Sequence, residues 1–70
     1  MMIEVFKTNV YAGFHAEKIT ELLYRHFPEC KINFDLDDCD KILRIEGSVF
    51  ETEKIKFIVN ESGFICEELE

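Results

Sequence analysis

Three thiols, two imidazoles and one acidic run are the groups in this chain whose types and spacing invite a chemical reading. Cys30, Cys39 and Cys66 are odd in number and form no CxxC pair. They read as reduced thiols of a cytoplasmic protein rather than as a disulfide framework. Cys30 and Cys39 flank an extended segment that would hold them roughly 30 Å apart, which excludes a direct bridge. His15 and His26 fall on one helical stretch, separated by roughly 16 Å of helical rise, so they cannot share an ion. His15 is a candidate metal ligand with Cys66. The competing reading makes His15 a partly buried packing residue and Cys66 a buried, inert thiol.

The run Asp35-Leu36-Asp37-Asp38-Cys39-Asp40 resembles the start of a calcium loop, and Glu46 stands twelfth from Asp35. The position that needs glycine holds Asp40, however, and the fifth holds Cys39. A solvated hairpin turn is the better reading. No glycine-rich phosphate cradle, nucleophile elbow or His-Asp-nucleophile set occurs. The two arginines, Arg25 and Arg44, lie inside expected helix and strand, leaving no arginine loop for phosphate. The expectation is a non-catalytic protein without catalytic residues or cofactor.

The elements that must position these groups follow from periodicity. Met2–Thr8 is rich in β-branched and aromatic residues, as a strand requires. From about Ala12 the apolar spacing changes to three and four residues: Ala12, His15 and Ala16, Ile19, Leu22 and Leu23, His26. Pro28 ends that helix by steering the preceding residue out of helical geometry. Lys31 to Asp37 alternates strictly, so Ile32, Phe34 and Leu36 should face a core. After a turn at Asp37 to Asp40, Ile42 to Glu46 returns as an antiparallel partner with Leu43 and Ile45 inward, and Gly47-Ser48 breaks it. Ser48 or Thr52 should cap a second helix with the stripe Ile55, Ile58, Val59 and with Phe57 on its flank. Gly63 fits the left-handed position after a helix, and Phe64 to Leu69 can form a last strand. The order β-α-β-β-α-β over residues 1–70 predicts one α+β domain, a ferredoxin-like sandwich with two helices on one face of a four-stranded antiparallel sheet ordered 4-1-3-2.

With that order in hand, the chain resembles a heavy-metal-associated domain, the module of copper chaperones and metal-transporting P-type ATPases. The resemblance spans essentially the whole chain. Its strongest local match is Glu61-Ser62-Gly63-Phe64-Ile65-Cys66, with Ile19 at the aliphatic position in the middle of the first helix. The family's Gly-Met-x-Cys-x-x-Cys motif falls on Asn9-Val10-Tyr11-Ala12-Gly13-Phe14-His15. Val10 stands for the buried methionine, while Ala12 and His15 stand for the two cysteines. A soft cation such as Cu(I) wants two thiolates, and this degenerate loop offers one imidazole. The resemblance therefore implies a fold kept and a metal pair lost. The alternative is a residual heavy-metal-binding or chaperone protein using His15, with Cys66 or a partner's ligands. A third class is a small-molecule-sensing domain built by pairing such sheets.

Composition narrows the partners. Hydrophobic residues at 47%, with seven Phe, suffice for one compact core, so disorder is not expected. A net charge of −7 repels phosphate backbones and anionic membranes, so neither nucleic acid nor membrane is expected as partner. Glu4 and Lys7 interrupt the first ten residues, unlike a secretory leader. If Phe6 points outward, the open face of the sheet carries Phe6, Ile42 and Ile65, rimmed by Glu4, Arg44 and Glu67. The first strand does not alternate cleanly, and the other reading turns Phe6 inward and leaves two scattered surface isoleucines. One Phe amid acids is a weak base-stacking platform. Three large apolar groups would instead suit a protein partner or self-association.

Overall fold

The structure, a computed structural model, describes residues 1–69. Strand β1 (Met2–Thr8) leads to helix α1 (Gly13–His26), strands β2 (Lys31–Asp35) and β3 (Ile42–Gly47), helix α2 (Thr52–Glu61) and strand β4 (Cys66–Glu68). The four strands form one antiparallel sheet in the order β2-β3-β1-β4. This is the ferredoxin-like α+β arrangement that the element order predicts.

Each helix buries one narrow stripe: Ala16, Ile19 and Leu23 on α1, Ile55, Ile58 and Val59 on α2. Both stripes join a single cluster with Phe6, Ile32, Leu43 and Ile45 from the sheet, so both helices cover the same face. Fully burying side chains of this size stabilises by roughly 1.5–3 kcal/mol each. Leu36 and Phe34 pack against this cluster while staying partly accessible. His26 is exposed, so the α1 stripe stops one turn short of the expected end.

The ends of the elements have local causes. Helix α1 stops before Phe27-Pro28, where the Phe27 N–H closes the last turn on the Leu23 carbonyl at 2.7 Å. Neither Ser48 nor Thr52 caps α2. Thr52 is already the first helical residue, and Glu51 occupies the cap position without a side-chain bond. Gly63 has φ +96, the left-handed conformation its position calls for. Strand β4 is shorter than expected because the preceding amides are engaged elsewhere. The Phe64 N–H donates to Val59 O at 3.3 Å, and the Ile65 N–H donates to Asn9 Oδ1 at 2.8 Å.

The expected open-face patch does not form. Phe6 lies opposite Leu43 and is fully buried beneath the helices. Residues of β1 alternate, so Glu4, Phe6 and Thr8 point to the helix side, and Ile3, Val5 and Lys7 point away. Glu4, expected on the outer rim, lies opposite the buried Ile45. Ile42 lies on the open face by register yet is only 6% exposed, without joining the inner cluster. Ile65 is half exposed and precedes β4. The three residues do not form one exposed surface.

Candidate functional site

The junction between β1 and α1 begins at Thr8, one of the best-anchored polar groups in the molecule. Its buried hydroxyl donates to the Lys41 carbonyl at 2.6 Å and accepts from the Val10 N–H at 3.2 Å. Those bonds tie the loop to the β2–β3 hairpin and seat Val10, fully buried, beneath it. Ala12 is the N-cap of α1, with φ −106 and ψ 137. Its carbonyl accepts from the amides of His15 and Ala16, both at 3.1 Å. Its methyl group offers no acceptor to the helix N-terminus, where an Asp or Ser would provide one.

His15 sits in the first turn of α1 within an aromatic cluster. Its ring centroid lies 4.1 Å from Phe14, 5.1 Å from Phe64 and 5.9 Å from Tyr11. The Tyr11 ring meets it edge-on at 82°. Phe64 arrives from the turn after α2, so the α2–β4 connection closes the cluster from the other side. His15 is partly buried, and its Nδ1 is shielded without a hydrogen-bond partner. Tyr11 and Phe14 remain 70% and 67% exposed. The loop thus presents two large aromatic faces to solvent around a mostly enclosed imidazole.

The donor chemistry at this end does not suit a soft metal ion. Cys66 is buried and 4% exposed, and its thiol is pushed up to about 12, first by burial, with Lys56 opposing and Glu68 and Glu67 adding to the rise. A neutral thiol is a poor ligand, since the thiolate is the binding form. Ala12 supplies nothing, and one imidazole remains. Among the described residues, neither His15 nor Cys66 belongs to a group of three or more candidate ligands.

Among the described residues the one such group is Asp38, Cys39 and Asp40, at the tip of the β2–β3 hairpin, with ligand atoms within 4.8 Å of one another. Of these side chains the Asp38 carboxylate serves the turn, and the Asp40 carboxylate lies 3.9 Å from the Lys7 ammonium. The Asp40 N–H donates to Asp38 Oδ1 at 2.9 Å, the Asp37 N–H to Asp35 Oδ1 at 3.3 Å, and Lys41 adopts φ 47 to close the loop. The Lys41 ammonium reaches back to the Leu36 carbonyl at 2.9 Å. The hairpin is therefore a turn stabilised by its own aspartates, as the sequence suggests. Cys30 is buried beside the start of β2, and burial followed by Glu29 raises its thiol. Cys39 is exposed.

Sequence reasoning placed Ala12 and His15 at this junction but missed Tyr11 and Phe14. Their signal was present as two aromatics flanking an Ala-Gly pair at the strand-to-helix junction, off the apolar stripe of α1. No helix of the described residues is long and apolar enough to cross a membrane. No protein-family model matches this chain, and no curated protein does.

Proposed function

We propose that this domain is a non-catalytic binding module of the cytoplasm, related in form to heavy-metal-associated domains and working without their metal pair. The observation that carries the reading is the exposure of Tyr11 and Phe14 around His15, at the end where those domains hold their ion. Aromatic side chains give large contact area at low entropic cost and are enriched in protein interfaces. Here they are held by a helix start and a buried threonine anchor rather than by a loose loop. The partner is a protein surface, and the contact is made by Tyr11, Phe14 and the exposed edge of Phe64.

A residual metal-carrying role is the competing reading, favoured by the unpartnered Nδ1 of His15. Competition against a chromophoric Cu(I) chelator at neutral pH, with elemental analysis of the purified protein, separates the two. The binding-module reading expects no stoichiometric ion and no change on His15→Ala. It also expects a photo-crosslinker placed at Phe14 to give a discrete protein adduct in cells, lost when Tyr11 is changed to Ser. One tightly held equivalent abolished by His15→Ala, with no adduct, overturns it.

A further inference from the structure

We infer that the free edge of β2 is a self-pairing surface, through which two copies of this chain join antiparallel into one eight-stranded sheet. The inference concerns a different surface from the aromatic end and does not depend on it.

Strand β2 is the last strand on its side of the sheet, and an edge strand is a template for another chain. Which groups face outward is fixed by one side chain. The Ile32 N–H donates to the Tyr24 hydroxyl at 3.1 Å, and that hydroxyl donates a longer bond to the Ile32 carbonyl at 3.4 Å. Ile32 therefore turns both backbone groups away from β3. By the alternation of an antiparallel ladder, Phe34 presents its N–H and C=O on the same free edge. Alongside runs an open groove of about 600 Å3 between α1 and β2, lined by Ala16, Glu17, Thr20, Glu21, Ile32 and Phe34.

The occupant follows from the sequence of the strand, Lys31-Ile32-Asn33-Phe34-Asp35. Placed antiparallel to itself about a two-fold axis at Asn33, it sets Lys31 opposite Asp35 of the second copy, and Asp35 opposite its Lys31. Ile32 then faces Phe34 on the helix side, and Asn33 faces its own equivalent. This register alone pairs all five strand residues. It also satisfies the hydrogen-bond parity: Ile32 and Phe34 carry the outward-facing groups, and they meet each other, giving four backbone bonds. A shift by one residue would set outward-facing groups against inward-facing ones. Opposite charges directly across an antiparallel pair are favourable, and a two-fold interface needs such self-complementarity. Tyr24 guards the edge in the single chain, since its hydroxyl occupies the Ile32 groups that the second copy would use.

Sedimentation equilibrium of the full chain and its variants over a concentration series tests this, with circular dichroism confirming that each is folded. Wild type should dimerise reversibly. Lys31→Glu and Asp35→Lys should each be monomeric, because each sets like charges against each other twice, and their equimolar mixture should restore the dimer. Tyr24→Phe should dimerise about tenfold more tightly, since the competing hydroxyl bonds are gone. A wild type that stays monomeric throughout, or a dimer indifferent to both charge changes, overturns the proposal.

Discussion

Gly47 and Cys30 share a space that admits no further carbon: a Cβ on Gly47 would stand 2.6 Å from the Cys30 Sγ and 3.4 Å from its Cβ. The β2–β3 register, in which Lys31 pairs with Glu46, makes these two the next rung beyond the ladder. Gly47 thus does more than break β3. It leaves room for a buried thiol at the point where the chain turns from α1 into β2. Gly47→Ala should destabilise the fold by about 1–3 kcal/mol, the usual cost of overpacking. Adding Cys30→Ala should recover part of that loss, a coupling that a double-mutant cycle by urea denaturation measures directly.

The buried hydroxyl of Thr8 joins three segments, and its replacement by Val keeps shape while removing both bonds. The Lys41 carbonyl and the Val10 N–H are then left without this partner. A buried group left unpaired costs about 1–3 kcal/mol. Thr8→Val should therefore lower the urea midpoint at unchanged slope, and should speed exchange of the Val10 amide seen by NMR.

Cys66 holds its proton to about pH 12 in the folded protein, against an ordinary value of 9.0. Above pH 9 the unfolded chain gives up that proton while the folded chain keeps it, so the unfolded state gains. The stability due to Cys66 is fully present below pH 9 and is lost as pH rises toward 12. The stability of wild type minus that of Cys66→Ala, followed by denaturation across this range, should fall with pH. A difference that is flat or rises refutes the assignment.

The same burial separates the three thiols in reactivity. Cys39 is exposed, whereas Cys30 and Cys66 are buried. Ellman's reagent should label one thiol rapidly in the native protein and none rapidly in Cys39→Ser. The other two should react only as fast as the protein opens.

Two glycines with open surroundings should respond in opposite senses to Ala. Neither Gly13 nor Gly63 has an atom within 4 Å of a built Cβ, so backbone conformation decides. Gly63 has φ +96, where a side chain is strained, and Gly63→Ala should cost about 1–2 kcal/mol. Gly13 is the first residue of α1, and Gly13→Ala should stabilise by about 0.4–1 kcal/mol. Thermal denaturation of both variants checks the pair.

The open-face patch shows where local reading ran out. Strand β2 alternates polar and apolar residues, so Ile32 and Phe34 had one possible side. Strand β1 reads Met2-Ile3-Glu4-Val5-Phe6, with apolar residues on both parities, and either face could have been buried. The choice was made by Leu43, across the ladder, whose neighbour must lie under the helices. The aromatic setting of His15 was equally hidden, because Phe64 reaches it from the far end of α2.

By itself the sequence determined the order of elements, the turn at Gly63, the absence of a CxxC pair, and a β1–α1 junction that carries one imidazole, His15, and no thiol. These follow from short-range rules: hydrophobic period, the freedom of glycine, and the identity of the donor atoms. Only the tertiary structure decided that Phe6 is core, that Cys66 is a shielded neutral thiol, and that Tyr24 closes the free edge of β2. Each of those depends on which distant segment supplies the neighbour, and burial is a property of that neighbour as much as of the residue.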